Sequence, residues 1–118
     1  MTTNPKLLSA TSIIGDEVRN RADEDLGKIE DLMIDTRDGR VAYAVLSFGG
    51  LMGIGDKLFA VPMEALRLDD AEKCFVLDKP KEELKNAPGF DKGEWPDTAS
   101  PVWQQKVHTY YGVEQRRH

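Results

Sequence analysis

The sequence predicts an all-β fold: a small barrel or rolled sheet of five or six short strands, with a short helix near residues 80–85 and a C-terminal helix. Three observations carry this expectation. Apolar and polar residues alternate with a period near two through much of residues 7–77. Turn-forming residues punctuate that alternation at short intervals. Helical spacing of apolar residues is confined to the last third of the chain.

The elements follow in order. Residues 26–35 form a strand whose apolar phase slips: Ile29 has one parity, Leu32 and Ile34 the other, with Glu30 and Asp31 between them. Such a slip predicts a β-bulge or a sharp bend. Thr36, Arg37, Asp38 and Gly39 then read as a hairpin turn, because glycine at 39 takes the positive φ that tight turns require. Residues 41–48 are apolar on both parities, so one face fills a barrel interior and the other needs a cover. That cover is either the C-terminal tail or a partner chain. Residues 57–61 form the next strand, closed by Pro62. Leu66 and Leu68 alternate with Arg67 and Asp69, and Cys74 to Leu77 completes the set.

Residues 86–100 hold Pro88, Gly89, Gly93, Pro96 and Ser100. They read as a linker between a domain at 1–85 and a tail at 101–118. The tail is the best-formed helix. Ser100 caps it, Pro101 suits the first helical position, and Gly112 stands where a C-terminal cap belongs. Trp103, Val107, Tyr110 and Tyr111 form one apolar stripe. A helix this short needs a surface to pack on, either its own barrel or another subunit. Burying Trp103 alone contributes roughly 2–3 kcal/mol.

Composition bounds the function. A chain of 118 residues, 40% hydrophobic and 31% charged, fits one globular domain. Its net charge of −5 disfavours direct nucleic-acid binding. No apolar run approaches a membrane span, and Met1 to Ala10 lacks the features of a signal peptide. The single cysteine, Cys74, rules out an internal disulfide framework and suits a reducing cytoplasm.

Motifs for chemistry are weak. Gly49, Gly50, Gly53 and Gly55 have neither dinucleotide nor phosphate-loop spacing, and a strand follows them where a helix should begin. The apolar residues among them, Leu51, Met52 and Ile54, either tuck onto the barrel or form a contact surface. Asp23 and Asp25 begin a calcium-loop pattern that fails at Gly27. His108 and His118 have no metal-ligand spacing, so His108 is expected on the surface. Cys74 opens an apolar strand and is expected to be a buried, unreactive thiol. No metal, cofactor or catalytic residue is expected.

Four stretches carry a family resemblance. Residues 8–15 (Leu-Ser-Ala-Thr-Ser-Ile-Ile-Gly) and 25–35 (Asp-Leu-Gly-Lys-Ile-Glu-Asp-Leu-Met-Ile-Asp) resemble the PRC-barrel family. So do residues 40–50, with Lys57-Leu58-Phe59-Ala60-Val61-Pro62 after them. That family includes the cytoplasmic domain of the photosynthetic reaction centre H subunit and a domain of a ribosome maturation factor. The Gly89-Phe90-Asp91-Lys92 and Trp95-Pro96-Asp97 segments are similar to the tails of its free-standing bacterial members. The resemblance implies a strongly bent barrel that docks onto larger assemblies and has no catalytic chemistry. Together with the doubly apolar strand at 41–48, the apolar glycine-rich loop and the amphipathic tail, it leads to the expectation of a cytoplasmic, non-enzymatic interaction module that forms homo-oligomers and contacts partners through Phe48, Leu51, Met52, Ile54, Trp103, Tyr110 and Tyr111. Docking to a membrane complex stays open. The alternative is a small-ligand or ion sensor with its pocket between barrel and tail.

Overall fold

A computed structural model describes residues 7–48, 57–69, 74–91, 93–98 and 100–114. It contains β1 (Glu17–Arg19), β2 (Asp25–Asp35), β3 (Arg40–Phe48), β4 (Lys57–Pro62), β5 (Leu66–Asp69), β6 (Cys74–Leu77) and β7 (Gly89–Asp91). Three helices accompany them: α1 (Ala10–Ile13), α2 (Lys81–Lys85) and α3 (Pro101–Tyr111). The strands form one mainly antiparallel sheet in the order β5-β6-β1-β2-β3-β4-β7, with β1 and β6 parallel. The fold is all-β and strongly bent, but the sheet is not closed: β5 and β7 are its two ends.

The bend follows from the phase slip. In the β2–β3 ladder the register shifts between Ile29 and Asp31, and again between Met33 and Ile34. An added residue on one strand kinks it and deepens the local twist. Gly27 lets β2 start close against β3. Its φ is +108°, and a Cβ there would lie 2.2 Å from the Ser47 carbonyl oxygen. The hairpin turn at residues 36–39 forms as expected, with Gly39 at φ +78°.

The core joins Val18 of β1, Leu26 and Ile29 of β2, Tyr43 to Leu46 of β3 and Leu58 to Val61 of β4. Phe48, Leu66, Phe75, Leu77, Leu84, Phe90, Val107 and Tyr111 complete it. β3 and β4 are buried on both faces, as their doubly apolar sequences require. The cover comes from the chain itself. α3 lies on β4, and its Trp103 ring meets Tyr43 of β3 edge-on, 5.3 Å between centroids.

The helix ends follow the sequence. The Trp103 N–H donates to Ser100 Oγ, Pro101 opens the helix, and Gly112 adopts a left-handed φ of +69°. The Val113 N–H then reaches back to the His108 carbonyl at 3.0 Å, which closes the last turn.

The sheet has seven strands where five or six were expected, and two segments take another form than the sequence suggested. Residues 10–13, placed among strands, form a single helical turn because Ser9 accepts the Ser12 N–H and caps it. Residues 89–91, placed in a linker, pair with β4 as β7. There Phe90 is buried and packs at a tilt against Trp95, 5.0 Å between centroids. Pairing to a distant strand, not local propensity, makes this strand.

Candidate functional site

The candidate site lies where the β2–β3 hairpin meets α3. Two adjoining depressions share Asp35, Arg37, Ala42, Tyr43 and Gln104. The smaller, about 60 Å³, also touches Glu64 and His108. The larger runs over Met33, Ile34, Thr98 and Pro101. α3 is set at this place partly by Gln104, whose side-chain amide donates to the Thr98 carbonyl at 2.8 Å.

The floor of the smaller depression is a buried polar chain. The Tyr43 hydroxyl lies 2.8 Å from His108 Nε2, and His108 Nδ1 lies 3.2 Å from the Val113 carbonyl oxygen. A carbonyl offers only lone pairs, so in the neutral ring Nδ1 carries the proton and Nε2 accepts from Tyr43. Burial, helped by the charge of Glu64, pushes the Tyr43 phenol up to about 12. His108 is therefore not the surface residue its polar neighbours suggested. It faces inward beside Val107, because the stripe covering β3 and β4 is wider than its four apolar residues.

The rim is charged but internally paired. Arg37 grips Asp35 through two nitrogens at 3.1 and 3.0 Å, which holds its guanidinium above the ordinary value. Arg40 stands 3.9 Å from Asp38. Between these pairs Ile34 is 57% exposed, an apolar side chain where the bulge has turned β2 outward.

The expected contact residues are not gathered there. Phe48 is buried against Phe59, with Lys81 Nζ 5.8 Å from its ring centroid. Tyr111 is buried in the core, its hydroxyl without a hydrogen-bond partner. Trp103 and Tyr110 are half-buried. The Tyr110 hydroxyl donates to the Glu83 carbonyl and its ring meets Lys79, so it ties α3 to the α2 region. Leu51, Met52 and Ile54 lie outside the described residues. Ile34, Met33 and Pro101 were not among the expected contact residues; the phase slip in β2 was the available signal for Ile34.

A second groove crosses the outer face of β1, β6 and β5, lined by Arg19, Arg21, Arg67, Asp23, Asp69, Cys74 and Val76. Arg19 is held by Glu17 and Asp23 at 2.9 and 3.1 Å. Cys74 is buried, as its place at the head of an apolar strand predicted. Among the described residues, no three His, Cys, Asp or Glu side chains are grouped to hold a metal ion. None of the described helices is long and apolar enough to cross a membrane.

A β-rich, strongly bent sheet with a doubly buried central hairpin is the architecture of a small barrel-type domain. The PRC-barrel domain family matches residues 5–84, and the chain belongs to that family. No curated protein matches the chain.

Proposed function

We infer that this protein is a non-catalytic interaction module, a PRC-barrel that works by docking onto another protein surface. The observation that carries this reading is the apolar strip at Ile34, flanked by Met33, Ala42 and Pro101 and rimmed by the Asp35–Arg37 and Asp38–Arg40 pairs. An apolar centre within a polar rim is the anatomy of a protein contact surface. The barrel supports it rigidly, since the hairpin bearing the strip is packed on its inner side by α3 and the core. Sites of this kind need no reacting group, and the buried Cys74 suits a reducing compartment such as the cytoplasm.

Self-association is part of the proposal, but its basis changes. The doubly apolar β3 no longer calls for a second subunit, because α3 of the same chain covers it. The outer edge of β5, on which no described strand lies, takes over as the reason.

The test is crosslinked capture from native lysate with the wild-type chain and Ile34→Asp, membrane and ribosomal fractions being kept separate. Ile34 is more than half exposed, and the variant's unfolding midpoint is measured alongside so that a lost partner is scored on folded protein. A stoichiometric partner recovered by the wild type and lost by the variant supports docking at this strip. Equal recovery by both, or recovery by neither, overturns it.

The polar cleft between barrel and tail favours one second reading, a small-ligand or ion sensor. Its Tyr43, Glu64 and His108 lining supplies donors and acceptors on about 60 Å³. A thermal-shift screen with metals, quinones and nucleotides decides it: a bound ligand raises the melting temperature by linkage, and a flat response ends this reading.

A further inference from the structure

β5 is an end strand. Its inner edge pairs with β6 from Leu66 opposite Leu77 to Asp69 opposite Cys74, and no described strand lies on its outer edge. An uncovered edge presents a row of backbone donors and acceptors that another strand can extend. Along β5, Arg67 and Asp69 share one face of the pleat, and Leu66 and Leu68 share the other. Leu68 is 36% exposed, among the most exposed large apolar residues of the sheet.

The geometry points to a second copy of this chain as the occupant of that edge, paired antiparallel about a two-fold axis through Leu68. This rests on the self-associating interaction-module reading above. With the axis there, Leu68 faces Leu68 of the second copy, Arg67 faces its Asp69, and Asp69 faces its Arg67. Each dimer gains two opposite-charge cross-strand pairs on one face and a leucine pair on the other. Centring the axis on Arg67 or on Asp69 sets like charges against each other. Placing it between residues sets a leucine across from a charge and breaks the match of faces. Centring it on Leu66 sets Arg67 against Ala65 and Asp69 against Met63, so the register through Leu68 is the one that matches both charges, as an isologous contact requires. A four-residue strand buries little area, so the dimer is weak and concentration-dependent.

Sedimentation equilibrium up to about 1 mM protein tests this on the full chain. The variants are Arg67→Asp, Asp69→Arg and Leu68→Lys, each checked for an unchanged circular dichroism spectrum. The wild type is expected to dimerise, and each variant to bind itself about tenfold more weakly or worse. An equimolar mixture of Arg67→Asp with Asp69→Arg is expected to recover wild-type affinity, because every cross-strand pair is again of opposite sign. Should Asp69→Arg fail to fold, Arg67→Asp and Leu68→Lys carry the test. Variants that dimerise as well as the wild type, or a mixture of folded variants that does not recover, overturn this register and leave self-association standing. A wild type that stays monomeric throughout overturns the inference itself, while the docking reading is still judged by the Ile34 capture.

Discussion

The hydroxyl of Tyr43 in β3 meets Nε2 of His108 in α3 at 2.8 Å, two residues 65 positions apart in sequence. This contact joins the barrel to its C-terminal helix through a buried polar link set among apolar neighbours. Hydrogen bonds of this kind contribute about 0.5–1.5 kcal/mol net, and removing one partner leaves the other unsatisfied. Tyr43→Phe is therefore expected to destabilise the fold by about 1–2 kcal/mol. A double-mutant cycle with His108→Leu should give a coupling of about 1 kcal/mol in urea unfolding. A coupling near zero would show that the two side chains pack together without bonding.

Tyr111 presents the opposite case. Its ring belongs to the core, but its hydroxyl is buried with no hydrogen-bond partner. Removing an unsatisfied hydroxyl costs nothing that the fold had gained. Tyr111→Phe is expected to leave stability unchanged or raise it by up to about 1 kcal/mol. The contrast in sign between Tyr43→Phe and Tyr111→Phe, read in one set of urea curves, is the check.

The same two phenols set the alkaline limit. Burial pushes Tyr43 up to about 12, and burial with Tyr110 alongside pushes Tyr111 up further. A raised folded-state value means that the folded chain holds the proton more tightly than the unfolded chain does. That contribution is complete below the ordinary tyrosine value of 10.0 and is lost as pH climbs through the folded-state values. The melting temperature should hold up to pH 10 and fall steeply beyond it. Tyr111→Phe should soften that fall, whereas a curve identical to the wild type's would place Tyr111 in contact with solvent.

How much of this was legible in the sequence depended on how local the cause was. The hairpin at residues 36–39, the Ser100 cap with Pro101 and the Gly112 stop are short-range signals, and each appears in the structure. The β2 phase slip was legible too, and it marks the bulge that exposes Ile34. Causes that act over long sequence distances were not legible. β7 exists because Phe90 pairs opposite Leu58, and no propensity within Gly89-Phe90-Asp91 announces it. The fate of the aromatics was hidden for the same reason. Phe48, Trp103, Tyr110 and Tyr111 all read as candidates for contact, but packing against distant elements decides which are taken into the core: Phe48 meets Phe59 of β4, and Tyr111 joins the core from α3. His108 lay on the margin of the apolar stripe, and only the position of Tyr43 makes its burial affordable.

Asn20 is a further residue whose role is long-range. It is 7% exposed, and its side chain makes four hydrogen bonds. Its amide nitrogen donates to Glu24 Oε1 at 2.7 Å and to the Lys79 carbonyl at 3.0 Å. Its oxygen accepts the Ala22 and Glu24 N–H groups at 3.0 and 2.9 Å. The bonds from Asn20 and the Lys81 N–H hold the Glu24 carboxyl below its ordinary value. Asn20→Ala should cost about 2–3 kcal/mol in chemical unfolding, because the Lys79 carbonyl and the turn amides lose their partner. Asn20→Asp should be worse, since it sets a carboxylate against Glu24 and a carbonyl. If Asn20→Asp proves the milder of the two, the turn is held by its oxygen contacts alone.

The last prediction concerns where the domain ends. The family match stops at residue 84, and the sequence invites a division after Lys85. The packing argues against a self-sufficient 1–85 piece. Val107 is fully buried and Tyr111 nearly so, both within the single core cluster, and Phe90 of β7 covers Leu58. Removing residues 86–118 uncovers the outer faces of β3 and β4 and strips three large side chains from that core. At roughly 1.5–3 kcal/mol for each such side chain, the loss is about 5–9 kcal/mol. A small domain has only about 5–15 kcal/mol of total stability. The 1–85 chain is therefore expected to lose cooperative unfolding and to bind a hydrophobic dye, whereas the full chain does neither. A truncated chain that still melts in one sharp transition, within about 1 kcal/mol of the full protein, would make β7 and α3 an appendage. In that case the apolar faces of β3 and β4 would be open in the barrel, and the proposal that Ile34 heads the contact surface would give way to one centred on β4.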